Sequence, residues 1–270
     1  MGFLTTRIRA IALYLSDRVR YGLPEFEGCL DEDIVFVLDG VGGFQFVPLF
    51  VRRALREANC SIGTVAYDWQ FGLTGEIWTD LMWLRRNRLM GAKLARKLLA
   101  CRRRYPAARI HLYACSGGAG IALFACEHLR GRPVVETMIL ACPAVSPAYN
   151  LAPALRAVQR CYALVSHRDR WILGTGTRIF GTVDRKFGSA AGRVGFLLPP
   201  DLSAEDRALY QRLGEIRWSS DLRAEGHHGG HTGWPMPRFL QRHLVPMLLG
   251  QPLLPVNQIG SLDPNSSHCP

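Results

Sequence analysis

The sequence lacks closely spaced cysteine pairs. Its eight cysteines are scattered along the chain without any Cys-x-x-Cys spacing, and several lie in apolar runs where a free thiol behaves as a small hydrophobic side chain. A disulfide framework or a zinc ribbon needs paired spacings, so the cysteine pattern argues against both. It favours a reducing, cytoplasmic setting, and it indicates neither a metal site nor a cofactor.

The sequence also lacks an uninterrupted membrane-spanning run. The uncharged stretch 137–155 is long enough to span a bilayer, but Pro143, Pro147 and Pro153 interrupt it. Residues 1–20 carry arginines among apolar residues without a small-residue cleavage site, which makes them a poor secretory signal. We therefore predict no transmembrane segment. Residues 1–30 are predicted to form an amphipathic helix and a lead-in, and this helix either packs on the body of the protein or makes peripheral contact with a membrane.

Acidic residues are scarce relative to basic ones. The chain has 33 Lys and Arg against 22 Asp and Glu, a formal net charge of +11, and nearly all the basic residues are arginines. Basic clusters at 85–88 and 102–104 lie among apolar residues at helical spacing, so we interpret them as solvated helix faces rather than as a surface for nucleic acid or anionic lipid. No nucleic-acid-binding motif accompanies the charge, and we predict no nucleic-acid partner.

Apolar runs alternate with helix-like segments over most of the chain. At 270 residues the chain is long enough for one large α/β domain. The pattern predicts a predominantly parallel central sheet with helices on both faces and no large cap domain. We place this domain at residues 31–250 and predict a disordered tail at 251–270. The strand-like runs lie at 34–38, 62–69, 109–115, 134–144 and 161–165.

A serine lies at a predicted strand-to-helix corner, in the sequence Ala114-Cys115-Ser116-Gly117-Gly118. A serine at such a corner has a strained backbone, so the residues two before and two after it must be small. Here they are Ala114 and Gly118. The following helix directs free N–H groups toward the corner, where an oxyanion would develop. The pattern predicts a nucleophile elbow, although a structural corner that packs a helix on a sheet has the same composition.

Candidates for the other parts of a nucleophilic site follow in the chain. A nucleophilic serine needs a base, an acid that orients the base, and oxyanion donors. Asp169 comes after the second strand beyond the elbow, and a glycine-rich loop at 226–234 holds three histidines. The carboxyl ends of parallel strands lie at one edge of a sheet, so these residues are predicted to meet Ser116 there. Three close histidines also suit a metal cluster, but no carboxylate joins them at ligand spacing.

With these residues in the order Ser, Asp, His, the chain resembles the α/β-hydrolase superfamily over residues 34–249. The sequence Gly230-His231-Thr232-Gly233-Trp234 looks like the Gly-His-x-Gly-aromatic loop of one branch of esterases. The resemblance implies an esterase- or lipase-like serine hydrolase that cleaves a carboxylic ester or a related acyl compound. Its nucleophile would be Ser116, its base His231 and its acid Asp169.

The resemblance also implies an oxyanion hole, formed by the backbone N–H groups of Val41 and Gly117. The superfamily usually has His-Gly-x-Gly in the first loop, whereas this chain has Asp39-Gly40-Val41-Gly42. The substitution leaves the backbone donor of Val41 in place. An ionised Asp39 would nevertheless weaken the stabilisation of an oxyanion.

Several alternatives stay open at this level. Two functions are alternatives to hydrolysis. The protein could be an inactive binding or scaffold protein of the same fold, or an acyltransferase that uses the same site. The substrate and the oligomeric state do not follow from the sequence. Aromatic residues near the carboxyl edge of the predicted sheet favour a substrate with an apolar acyl or alcohol group, unless these residues are packed in the core. The glycine-rich segment 174–195 is predicted to control access to Ser116. Further candidates are Asp184 and Asp221 for the acid, His228 for the base, and Phe44, Trp69 and Trp234 for the substrate pocket.

Overall fold

The computed structural model describes residues 26–27, 29–42, 45–71, 77–251 and 259–260. The N-terminal amphipathic helix predicted within 1–30 falls outside these residues, and so does most of the tail predicted at 251–270. The boundary expected at residue 31 lies inside a strand, because one strand extends over Cys29–Leu38.

A single eight-stranded sheet forms the centre of the described structure. Six neighbouring strands are parallel, and a two-residue antiparallel strand lies at each edge, which confirms the predicted predominantly parallel sheet. In chain order the strands are β1 Phe26–Glu27, β2 Cys29–Leu38, β3 Ile62–Ala66, β4 Arg109–Cys115, β5 Val135–Ala141, β6 Val158–Val165, β7 Leu213–Arg217 and β8 Ile259–Gly260. In space their order is β1-β3-β2-β4-β5-β6-β7-β8.

Helices connect the strands and cover both faces of the sheet. The helices up to the elbow region are α1 Phe46–Glu57, α2 Ile77–Met82, α3 Leu84–Arg104, α4 Gly117–His128 and α5 Ala152–Leu155. Beyond β6, a π-helical turn at Trp171–Gly176 continues into α6 Thr177–Phe180, and α7 Ala191–Val194 and α8 Ala204–Leu209 follow. The last helical stretch comprises α9 Pro237–Phe239, a π-helical turn at Leu240–Leu244 and α10 Val245–Leu249.

Two groups of helices pack on the sheet. Helix α1 contacts the C-terminal stretch 237–249, while α3 contacts α4 and α4 contacts α5. At the α3–α4 contact, a Cβ on Gly91 would lie 2.5 Å from the Cβ of Phe124, so only glycine allows the helices to approach this closely. The side chains of residues 33–38 in β2 and 110–115 in β4, which lie between these layers, are buried. That burial explains why the central strands are continuously apolar in sequence.

Two features were not indicated by the sequence pattern. A break at Trp83 separates α2 from α3. Strand β7 was not expected, since its sequence Leu-Gly-Glu-Ile-Arg is not continuously apolar. Its central Glu215 is nevertheless buried, because its carboxylate accepts the N–H of Phe196 at 2.6 Å and pairs with Arg217 at 2.6 Å. Only these tertiary partners make a charged residue acceptable in a buried strand.

The connections around the elbow are short. Only 16 residues lie between the end of β5 at Ala141 and the start of β6 at Val158, so no large cap domain is inserted there, as predicted. Within the part of the chain that the structure describes, no helix combines the length and the apolar character needed to cross a membrane.

Candidate active site

Ser116 lies at a sharp corner between β4 and α4. Its backbone has φ 52° and ψ −119°, a positive φ that a non-glycine residue rarely adopts. The corner is held by hydrogen bonds from Ser116 N–H to the Ala141 carbonyl at 2.8 Å and from Ala144 N–H to the Ser116 carbonyl at 3.1 Å. A Cβ on Gly118 would lie 2.5 Å from the Asp39 carbonyl oxygen. The small residue at this position is therefore a steric requirement of the corner.

The side chains of Ser116, His231 and Asp169 form one continuous relay of hydrogen bonds. Ser116 Oγ lies 2.9 Å from His231 Nε2, and His231 Nδ1 lies 2.6 Å from Asp169 Oδ2. With Asp169 ionised, its carboxylate accepts the Nδ1 proton, which leaves Nε2 as the acceptor for the serine hydroxyl. These are the separations that a nucleophile, a base and an orienting acid require.

Asp169 is a buried carboxylate in the loop after β6. Its side chain is 3 % exposed, its Oδ1 accepts the N–H of Leu173 at 3.3 Å, and its own N–H is donated to the Ser166 carbonyl at 3.0 Å. The two other candidate acids are engaged elsewhere. Asp184 accepts the Ser146 N–H and the Thr182 hydroxyl, whereas Asp221 is exposed and accepts the Ser219 hydroxyl.

The loop that carries His231 is built around a second histidine, His227. Its Nδ1 accepts the N–H of Gly229 at 3.0 Å, and its ring packs edge-on against Trp234 with centroids 4.2 Å apart. A Cβ on Gly233 would lie 1.8 Å from His227 Nδ1, so glycine is required there. Burial lowers the pKa of His227 to about 3, which keeps its ring neutral. The sequence did not indicate this role, since His227 was only one of three neighbouring histidines.

Two thiols connect the elbow to the histidine loop. Cys115 Sγ lies 3.6 Å from Cys142 Sγ, and the Cys142 thiol donates to the His231 carbonyl at 3.5 Å. Burial raises the pKa of Cys142 well above its usual value, so the thiol stays protonated. Cys142 thus supports the backbone of His231 as a neutral donor.

The first loop brings backbone N–H groups to the elbow. A Cβ on Gly117 would lie 2.9 Å from Val41 Cγ1, which shows how closely the two candidate oxyanion residues approach each other. Gly117 is the first residue of α4, so its N–H has no carbonyl partner within the helix. In the described part of the chain, no protein acceptor takes the N–H of Val41 either. Both donors are therefore available to a ligand.

Asp39, the residue that departs from the superfamily pattern, anchors this loop. Its Oδ1 accepts the N–H of Gly40 at 2.7 Å, and its Oδ2 accepts the N–H of Val47 in the first turn of α1 at 3.3 Å. Burial nevertheless dominates and raises the pKa of Asp39 to about 6. Asp39 also lies in the wall of the cavity that opens beside Ser116.

Asp80 and Gln70 also hold this loop, and no sequence pattern indicated either residue. The buried Asp80 accepts the N–H of Gly42 at 3.1 Å and that of Phe71 at 2.8 Å. Gln70 Nε2 donates to the Gly40 carbonyl at 2.7 Å. The contacts with Gly42 and Gly40 join residues 38 and 30 positions apart in the chain, and no local spacing pattern encodes them.

A cavity of 630 Å³ opens beside Ser116 and His231. This volume falls within the range of about 300–1,000 Å³ that is typical of small-molecule sites. Residues 172–180 form part of its wall, so the segment expected to control access does lie at the site. Most of the side chains that line the cavity are apolar, among them Phe46, Phe50, Leu81, Ile172, Phe180 and Met236.

Of the three aromatic residues expected in the pocket, the two that the structure describes lie elsewhere. Trp69 is fully buried beneath the elbow, where its Nε1 donates to the Asp39 carbonyl at 2.9 Å. Trp234 is also fully buried and packs against His227 and Phe239. Neither residue lines the cavity, because both side chains are packed into the core. Phe44 lies outside the described residues.

The strand order and the position of the elbow decide the fold. Six parallel strands are flanked by helices on both faces, and the serine corner follows a central strand, with the acid and the histidine in later loops at the carboxyl edge. The fold is an α/β-hydrolase fold.

Solved structures with this α/β-hydrolase fold are similar to the chain at low identity. A cutinase from Trichoderma reesei in complex with a phosphonate inhibitor is 13 % identical with a TM-score of 0.39, covering 57 % of this chain and 74 % of its own. A poly(3-hydroxybutyrate) depolymerase from Bordetella parapertussis is 15 % identical with a TM-score of 0.45, covering 81 % and 78 %. A hyperthermophilic esterase from the archaeon Pyrobaculum calidifontis is 11 % identical with a TM-score of 0.36, covering 80 % of this chain and 82 % of its own.

No protein-family profile matches the sequence, and no curated protein matches it. Structural likenesses at this level do not indicate a function for this chain.

Metal-ligating side chains are not grouped in the described part of this α/β-hydrolase fold: no three His, Cys, Asp or Glu residues there could hold one ion together. Among the histidines of the loop, His231 contacts Ser116 and Asp169, while His227 is buried within the loop.

Proposed function

We propose that the protein is a serine hydrolase that cleaves a carboxylic ester or a related acyl compound through an acyl-enzyme. The observation that carries this proposal is the relay from Ser116 through His231 to Asp169, with separations of 2.9 and 2.6 Å, on a corner with positive φ. A structural serine at a packing corner needs neither the histidine nor the buried carboxylate behind it.

In the proposed mechanism, Ser116 Oγ attacks the substrate carbonyl while His231 Nε2 takes its proton. Asp169 orients the imidazole and stabilises the imidazolium that forms. The N–H groups of Gly117 and Val41 donate to the oxyanion, and the positive end of the α4 dipole adds to this stabilisation. His231 then protonates the leaving alcohol, and the acyl-enzyme forms. Water, deprotonated by the same histidine, attacks the acyl-enzyme and releases the acid.

The cavity supports an apolar acyl group as the part of the substrate that is bound. Its side-chain wall includes Phe46, Phe50 and Ile172, and burying apolar area contributes about 25 cal/mol per Å² to binding. We therefore expect esters with an extended apolar acyl chain to have a higher kcat/KM than the corresponding acetates.

A fluorophosphonate probe tests the proposal, because it phosphonylates only a serine that is activated as a nucleophile. The wild-type protein is expected to be labelled on the peptide that contains Ser116, and Ser116→Ala and His231→Ala are expected to abolish labelling. Ser220→Ala is the matched control, since it removes an exposed serine that does not line the cavity and should retain the label. Ester hydrolysis in Ser116→Ala is expected to fall by about 10⁴-fold or more.

Two outcomes would favour the alternative functions. A folded wild-type protein that is not labelled, and that hydrolyses esters no faster than Ser116→Ala, would favour a binding or scaffold protein. A labelled enzyme that forms a new ester in preference to the free acid, when an alcohol is supplied with the acyl donor, would favour an acyltransferase.

A further inference from the structure

Large apolar side chains are exposed to solvent around the mouth of the cavity. Trp171 is 82 % exposed, Ile179 60 % and Met82 44 %. Burying side chains of this size from water is strongly favourable, and contiguous apolar patches on a monomer mark an interaction site. We call these three residues the apolar rim.

The apolar rim is continuous with the cavity through its chain neighbours. Trp171 precedes Ile172, Ile179 precedes Phe180, and Met82 follows Leu81, and each of these neighbours lines the cavity. The helices α2 and α6 contact each other, which brings the two parts of the rim together. A surface that covers the rim therefore also lies at the opening through which an acyl chain reaches Ser116.

Exposed positive charge accompanies the apolar rim. The stretch 166–200 contains six Lys and Arg residues, four of which, Arg168, Arg170, Arg178 and Lys186, are exposed. Neither of the two acidic residues in this stretch is exposed. Asp169 is buried against His231, and the half-buried Asp184 accepts two protein hydrogen bonds. The exposed charge of this stretch is thus of one sign.

We propose that the apolar rim docks on an anionic lipid surface, with Trp171 and Ile179 inserted at the headgroup level and Arg170 and Arg178 near the lipid phosphates. Tryptophan is favoured at this depth because its ring has an apolar body and a polar N–H. Arginines flanking an apolar surface add electrostatic attraction to anionic lipid. The charge of this stretch is therefore complementary to that surface. In this orientation the cavity opens onto the lipid.

Vesicle flotation with the full-length chain tests the docking separately from hydrolysis. The protein carries Ser116→Ala, so that binding is measured without turnover and a failure of the proposed function leaves this result readable. The probes are vesicles of phosphatidylcholine alone and vesicles with about 30 % phosphatidylglycerol. We expect binding to the anionic vesicles, weaker binding to the neutral ones, and release from the anionic vesicles at high salt.

Matched variants locate the docking surface. Trp171→Ser combined with Ile179→Ser is expected to lower partitioning by at least about tenfold. Arg178→Gln is expected to lower it by about fivefold, because each basic side chain near such a surface contributes that factor. The controls are Leu89→Ser and Arg103→Gln, which change exposed residues on α3 that do not line the cavity. Both should bind as the unmodified chain does.

Three outcomes would overturn the proposal. The first is an absence of binding to anionic vesicles. The second is unchanged binding in the Trp171→Ser/Ile179→Ser chain, which would assign membrane contact to another segment such as residues 1–20. The third is a dimer in solution that these two substitutions dissociate, which would make a second copy the occupant of the rim. An unchanged urea-unfolding curve of the Trp171→Ser/Ile179→Ser chain shows that a loss of binding is not a loss of folding.

Discussion

Asp39→Asn is expected to change how the stability of the fold depends on pH. The carboxyl of Asp39 is buried, and burial raises its pKa from 3.8 to about 6 in spite of the N–H groups that it accepts. Since its pKa in the folded state is above the unfolded value, the folded state binds the proton more tightly. The associated stability is fully present below about pH 3.8 and is lost as the pH rises through about 6.

The magnitude follows from the size of the shift. Moving a pKa from 3.8 to about 6 corresponds to about 3 kcal/mol, since one unit is about 1.4 kcal/mol. Asparagine cannot ionise, so Asp39→Asn does not undergo this loss. Its free energy of unfolding relative to the wild type is therefore expected to increase by about 3 kcal/mol between about pH 4 and pH 7.

Urea unfolding of both proteins at several pH values measures this difference. Subtracting the two curves cancels the titration of every group that they share, and equal m-values would show that the unfolded states are comparable. A constant offset between the curves reflects the altered hydrogen bonds to Gly40 and Val47. A difference that stays constant over this pH range, or that falls with rising pH, would refute the assignment of a buried, raised-pKa carboxyl to Asp39.

Two further predictions concern the support of the elbow and its oxyanion loop. Gly118→Ala places a Cβ 2.5 Å from a backbone oxygen and is expected to destabilise the fold by about 1–3 kcal/mol in denaturant unfolding. The control Gly230→Ala has open space around its Cβ and should leave the free energy of unfolding unchanged. Equal effects of the two substitutions would contradict the steric requirement at Gly118. Asp80→Ala releases the N–H of Gly42 and is expected to lower kcat by about tenfold with little change in KM, less than the 10²–10³ that loss of an oxyanion donor costs. Asp80→Asn retains one acceptor and should recover part of this loss, and an unchanged kcat in Asp80→Ala would remove the positioning role.

The sequence by itself determined the parts of this protein that depend on local constraints. The elbow was predictable because positive φ at Ser116 requires small neighbours in the chain, and Ala114 and Gly118 are local to it. The parallel sheet was predictable because strands buried on both faces are continuously apolar. The order of serine, acid and histidine then indicated which residues would share the carboxyl edge of the sheet.

Only the tertiary structure decided the features that depend on distant partners. Strand β7 was missed since Glu215 is stabilised there by Phe196 N–H and Arg217, and Trp69 and Trp234 are core rather than pocket because of what packs around them. Asp80 supports the loop of Gly40 and Gly42 from 38 residues away. The contact of His231 with Asp169, rather than with Asp184 or Asp221, likewise depends on folded positions that no spacing in the chain specifies. Burial and long-range hydrogen bonds are properties of the folded surroundings of a residue, so a single sequence does not state them.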